Sequence, residues 1–146
     1  MYKCILVPLD GSKRAEAILP HVEQIASLFK AKVIFLHVVE PPPIVTDEGG
    51  PYLENFQNQL QTMTEQVGLY LKGIAGEFRE KGIDATEQIG YGPVAEGILK
   101  TAQREQADLI AIASHGRTGL SRVFYGSVAL GLLHAADRPL LVIRSD

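Results

Sequence analysis

The chain opens with Cys4-Ile-Leu-Val-Pro-Leu9, turns at Asp10-Gly11-Ser12, and reaches Val33-Ile-Phe-Leu-His-Val-Val39. The two flanking runs are short, apolar and bounded by turn or polar residues. That is the pattern of strands buried on both faces. Between them Ala15, Ile18, Leu19, Val22, Ile25, Ala26 and Phe29 follow helical spacing. Pro20 falls inside that pattern, so a kinked helix is expected there.

The alternation continues. Residues 40–51 are rich in Pro and Gly and read as a loop. Its length raises a lid or contact role, but a plain surface insertion is the simpler reading. A helix is predicted from about Phe56 to Lys81, with Leu60, Met63, Val67, Leu71, Ile74 and Phe78 along its apolar face. Gly82 ends it. Ala85–Gly90 is a third strand. Gly92-Pro93 opens a helix with Pro93 in its first position, and Val94, Ile98, Leu99 and Ala102 mark its buried face. Asp108–Ala113 is a fourth strand and residues 114–125 are a turn-rich connection. Val128, Leu132, Leu133 and Ala136 mark a last helix, and Leu140–Ile143 a last strand. Strict alternation with apolar strands predicts an α/β, doubly wound, five-stranded parallel sheet with helices on both faces. Ligands of such sheets bind beyond the carboxyl ends of the strands, where the strand order reverses.

Composition bounds the function. The chain has 146 residues, which predicts one domain over 1–146. Fourteen Lys+Arg against seventeen Asp+Glu leave a net charge of −3, so no broad cationic face for nucleic acid is expected. The lone cysteine, Cys4, excludes an internal disulfide and a cysteine-cluster metal site. His21, His37 and His134 have no ligand spacing, so zinc is not expected. No apolar run is long enough for a signal-peptide core or a membrane span. A soluble, cytoplasmic protein is the expectation.

The residues after the first and fourth strands carry the chemistry. In Ala113-Ser-His-Gly-Arg-Thr-Gly-Leu-Ser-Arg-Val-Phe-Tyr-Gly-Ser127, Gly116 and Gly119 permit a sharp turn close to a ligand. Gly126-Ser127 opens a helix, whose free N–H groups favour an anion. Ser127 adds a hydroxyl and Arg117 a positive charge. This is either a phosphate cradle or a glycine-rich turn with an N-cap serine. Asp10 is either a helix cap or a Mg²⁺ ligand beside phosphates. His115 has no paired nucleophile or base and reads as a loop hydrogen-bonder. Gly92-Pro-Val-Ala-Glu-Gly97 has P-loop glycine spacing, but Ile98 and Leu99 stand where Lys and Ser/Thr belong.

The segment resembles the nucleotide loop of the universal stress proteins: Gly, two residues, Gly, nine residues, Gly, then Ser or Thr. Gly116, Gly126 and Ser127 match, while Ala113 stands at the first glycine. Ile5–Ser12, Leu36-His-Val38 and Pro139–Arg144 extend the likeness along the chain. The resemblance implies a Rossmann-like, adenine nucleotide alpha hydrolase-like fold that binds ATP, ADP or AMP with Mg²⁺. By position it places Pro8, Leu9 and Asp10 on the adenosine and metal side, and Val38 against the adenine. Ile112 and Ala113 would reach base and ribose through backbone groups. His115, Gly116 and Arg117 would surround the phosphates, and Gly126, Ser127 and Val128 would complete the cradle. With alanine at 113, binding is expected to be weakened or unchanged.

The implied function is a stress-response sensor or regulator, with hydrolysis slow at most. The alternative is a nucleotide-independent dimeric interaction protein of the same fold. With the switch point between strands one and four, the strand order is 3-2-1-4-5. That leaves Leu140–Ile143 as an apolar edge through which a homodimer is expected to pair.

Overall fold

The structure, a computed structural model, describes residues 1–40, 49–115 and 126–145, with the backbone alone at 49–53 and 115. Its strands are β1 (Cys4–Pro8), β2 (Lys32–Val39), β3 (Ala85–Tyr91), β4 (Leu109–His115) and β5 (Leu140–Ser145). Its helices are α1 (Leu19–Phe29), α2 (Gly49–Glu80), α3 (Val94–Arg104) and α4 (Ser127–Ala135); a 3-10 turn at Ala15–Ile18 leads into α1. All strands are parallel, in the order β3-β2-β1-β4-β5. The expected doubly wound sheet and its strand order are both observed.

Strand alternation sends side chains to two cores. Ile5, Val7, Val33, Phe35, Leu109 and Ala111 face Ile18, Val22 and Ala26 of the 3-10 turn and α1, and Leu71, Ala75 and Phe78 of α2. Leu6, Ile34, Leu36, Ile110 and Ile112 face Ile98 and Ala102 of α3 and Leu132 of α4. Each core is closed on one side by the sheet and on the other by two helices, so both sheet faces are removed from water. Phe35 and Phe78 meet edge to face with centroids 4.9 Å apart, in the favourable geometry for aromatic rings.

Gly82 does stop α2. It has φ +81°, its N–H donates to Arg79 O at 2.9 Å, and Ile83 N–H reaches Phe78 O at 3.1 Å. This pair of bonds is the Schellman closure, and Ile83 and Phe78 share the first core. Pro20 does not kink a helix. It lies in the first turn of α1, where an N–H would have no intrahelical acceptor and none is missed. The 3-10 turn before it carries the apolar spacing that made the helix look continuous. Pro93 is the N-cap of α3, with φ −60° and ψ 133°, rather than its first helical residue. The second helix begins at Gly49 rather than Phe56; its first turns carry little apolar periodicity, and Pro51 is tolerated among N–H groups that need no partner. Residues 41–48 of the expected loop lie outside the described residues. Met63 and Leu133 were expected in the core, but they are 38% and 51% exposed. Leu133 is turned about 100° from buried Leu132, one residue further along the helix.

β4 is tied to β1 by a side chain just before it starts. Lys3 N–H donates to Asp108 Oδ2 at 2.8 Å and Cys4 N–H donates to Oδ1 at 3.1 Å. Asp108 N–H in turn donates to Cys4 O at 2.9 Å. This clasp sets the β1–β4 register, and a one-residue slip would exchange the two core faces. Asp108→Ala should lower stability by about 1–2 kcal/mol in urea unfolding, since two charge-assisted bonds are lost near the surface. Asp108→Asn should recover part of this, because its carbonyl oxygen still accepts one bond.

Candidate functional site

The sheet splits where β1 ends. Among the described residues β1 pairs β4 only at Ile5 and Leu6, opposite Leu109 and Ile110. On the other side β1 stays paired to β2 as far as Pro8, opposite Leu36. The helices that follow β1 and β4, α1 and α4, pack on opposite faces of the sheet. A cavity of about 310 Å³ opens at the carboxyl ends of the two strands. That volume is in the range of small-molecule sites, roughly 300–1,000 Å³.

Nine of the expected site residues line this cavity: Pro8, Leu9, Asp10, Val38, Ile112, Ala113, Gly126, Ser127 and Val128. The structure thus gathers them from the ends of β1, β2 and β4 and the start of α4. His115 ends β4, and only its backbone is described. Gly116 and Arg117 lie outside the described residues. The cavity wall also includes Ala15, His37, Glu40, Val94, Ser114 and Ala129, which the sequence reading did not assign to it. His37, Ser114 and Ala129 are direct neighbours of expected residues. Glu40 follows β2, so proximity along the chain was an available signal for these. Val94 comes from α3, and only the packing of α3 on the sheet brings it in.

The floor is apolar. Val38 and Ile112 are 8% and 7% exposed and belong to the second core. Val38 sits low because Gly97 lies beneath it: a Cβ at Gly97 would come within 3.0 Å of Val38 Cγ1 and 3.1 Å of Cγ2. Ala113 lies within β4, opposite Ile143. It is not among the residues with positive φ, so alanine at this position carries no backbone strain.

One wall is a helix N-terminus. Gly126 is the N-cap of α4 with φ +80° and ψ 153°, a conformation that favours glycine. Ser127 is therefore the first helical residue rather than the N-cap expected in the structural alternative. The first bond of the α4 ladder is Leu130 N–H to Gly126 O at 3.0 Å. The N–H groups of Ser127, Val128 and Ala129 precede it, and all three residues line the cavity. Among the described residues no side chain caps this end. N–H donors without an intrahelical acceptor and the positive end of the helix dipole both favour an anion here.

The opposite wall is the turn after β1. Asp10 Oδ1 accepts from Ser12 N–H at 2.9 Å and from Ser12 Oγ–H at 2.6 Å. Ser12 Oγ accepts from Ala15 N–H at 3.2 Å and leads the chain into the 3-10 turn. Asp10 therefore closes a turn and does not cap α1, whose N-cap is Ile18. Behind this turn Tyr70 O–H donates to Glu16 Oε2 at 3.0 Å. Burial, then the bond to Glu16, push the Tyr70 phenol well above its usual range, with the charge of Asp10 adding to the effect. Among the described residues no group of three or more His, Cys, Asp or Glu is placed to hold a metal. No described helix is long and apolar enough to cross a membrane.

The comparisons agree with one another. Residues 1–144 match the model of the universal stress protein family. Universal stress protein MJ0577 of Methanocaldococcus jannaschii is 32% identical, with 99% of this chain and 96% of that protein aligned. The solved structure of MJ0577 superposes with a TM-score of 0.83 at 33% identity, covering 100% of this chain and 98% of that one. A universal stress protein family protein from Arabidopsis thaliana, solved with AMP bound, gives a TM-score of 0.65 at 19% identity over 99% of this chain and 92% of that one. A universal stress protein solved in complex with cAMP gives 0.65 at 19% identity, over 99% and 98%. At that identity the last two show likeness of fold.

The close approach of Gly97 to Val38 has a measurable consequence. Glycine to alanine inside a helix ordinarily stabilises by roughly 1 kcal/mol. Gly97→Ala should not. Its methyl must displace Val38 towards the cavity, so the urea midpoint should stay level or fall. A gain of about 1 kcal/mol would contradict the contact.

Proposed function

This chain belongs to the universal stress protein family, and we propose that it binds an adenine nucleotide with Mg²⁺ at the carboxyl ends of β1 and β4. One observation carries this reading: an apolar floor and a helix N-terminus, uncapped among the described residues, line the same cavity. A flat, weakly polar base fits Val38 and Ile112. Phosphate oxygens fit the N–H groups of Ser127, Val128 and Ala129. Pro8, Leu9, Ala113 and Gly126 complete the wall between the two halves. His115, Gly116 and Arg117 keep the phosphate-side role that the motif gives them. The AMP and cAMP bound by the two fold relatives support the choice of adenine nucleotide.

The cation follows from charge. Asp10 and Glu40 both line the cavity, and two carboxylates would repel a bare polyphosphate. A bound Mg²⁺ would offset that repulsion, supplying charge neutralisation between phosphate and carboxylate oxygens. Asp10 is the only carboxylate among the motif residues and would be its protein ligand.

The role is binding rather than turnover. N–H donors that cradle phosphate hold ground state and transition state alike. Such uniform binding lowers Kd without raising the rate. The output is a sensor or regulator state in a stress response, carried by one domain over residues 1–146 in the cytoplasm.

The assembly is a homodimer through β5. The two sheet edges differ. On β3, Arg104 Nη2 donates to Gln88 Oε1 at 2.6 Å, Gln88 donates to Glu105 at 2.8 Å, and Arg79 lies 3.8 Å from Glu87. Polar and charged side chains of this kind discourage edge pairing. On β5, Leu140, Leu141, Val142 and Ile143 are only partly buried. Two-fold pairing there would cover them.

Two experiments test this reading. Calorimetric titration with ATP and Mg²⁺ should show micromolar binding that is lost in Gly126→Val/Ser127→Ala. Thermal melts of both proteins check that the variant still folds. No binding by the wild type at millimolar ATP would move the chain to the nucleotide-independent interaction class. In sedimentation velocity the wild type should run as a dimer at micromolar concentration and Val142→Lys as a monomer. A monomeric wild type would sink the β5 interface.

A further inference from the structure

The turn after β1 forms one wall of the cavity, yet β1 has already left β4 when it begins. Beyond Pro8 the backbone of Leu9 is held from the β2 side alone among the described residues. Leu9 N–H donates to Leu36 O at 2.8 Å. Leu9 O lies 2.8 Å from Nδ1 of His37. A carbonyl can only accept, so His37 must carry its proton on Nδ1 and donate it. His37 is half-buried and lines the same cavity as Leu9 and Asp10. The turn that follows is short and self-closing: Asp10 holds Ser12, and Gly11 has φ +86°. Where Leu9 points therefore determines where the whole turn, with the Asp10 carboxylate, sits relative to the cavity.

We infer that His37 is a positioning residue for the ligand of this cavity. Its Nδ1–H clamps the Leu9 carbonyl to β2 and holds residues 9–12 in the geometry the ligand meets. The inference rests on the nucleotide reading only for the ligand used to test it. It assigns no proton transfer to the imidazole. What the ring supplies is a rigid, correctly placed donor. His37 lies within β2, opposite Ile89 of β3, so its backbone is already fixed and the ring loses little entropy in making this bond.

The test compares wild type, His37→Leu and His37→Asn. Leucine fills similar space without a donor. Asparagine can present an amide N–H near the Nδ1 position. The first readout needs no ligand: amide hydrogen exchange at Gly11 and Ser12, with Leu6 and Val7 in β1 as controls for global unfolding. In His37→Leu the turn amides should exchange about tenfold faster, with the controls unchanged, as expected for loss of one net hydrogen bond. The Kd for ATP with Mg²⁺ should rise by a similar factor. His37→Asn should return both values to within about threefold of wild type. Wild-type exchange and wild-type affinity in His37→Leu would overturn the proposal. So would a loss in His37→Leu that His37→Asn does not recover, since that points to packing rather than the donor. A wild type that takes up no ATP, while His37→Leu still loosens the turn and His37→Asn restores it, would overturn the nucleotide reading and uphold the clamp.

Discussion

The site exists because β1 cannot stay paired on both sides. β1 occupies the centre of the sheet, with β2 on one flank and β4 on the other. Pro8 ends it without an N–H, and the ladder to β4 is already over at Leu6. The helix that follows β1 packs on one sheet face and the helix that follows β4 on the other. The gap between the two strand ends is the cavity. Every other feature of the site depends on that parting: the turn at Asp10, the low seat of Val38 and the approach of the α4 N-terminus.

The two cores hold the gap open without filling it. Each is closed by large, fully buried side chains such as Phe35 and Leu71 on one face and Ile98 and Leu132 on the other. Close packing leaves the strand ends little room to shift. Small residues then shape the opening. Gly97 lets Val38 sink, and Gly126 lets the chain enter α4 at a φ that other residues avoid. The clasp at Asp108 works from the opposite end of β1, setting the register that makes the carboxyl ends diverge where they do.

Much of this was legible in the residues, for physical reasons. The strands read clearly because burial on both faces leaves continuous apolar runs such as Val33–Val39. Gly82 reads clearly because a left-handed residue after a helix favours glycine. The expected site residues at the ends of β1 and β4 came together because strand ends at a switch point must. Other features were not legible. Pro20 looked like a kink because the 3-10 turn before it shares the helical apolar spacing. The start of α2 is not legible because its first turns carry little apolar periodicity. Val94 and Gly97 were invisible as site residues because their role comes from the packing of α3 on β2. His37 has no ligand spacing in the sequence. Its partner is a backbone carbonyl, which no side-chain pattern reveals.

The most direct test of the central claim is to map the ligand on the chain itself. ¹⁵N-labelled protein titrated with ATP and Mg²⁺, followed by amide chemical shifts, reports position as well as affinity. The account predicts saturable shifts at Leu9–Ser12, at Val38 and at Gly126–Ala129, with the β3 and α2 amides around Gly68 and Gln88 unmoved. No shift at millimolar ATP, or saturable shifts confined to the α2–β3 side, would contradict it.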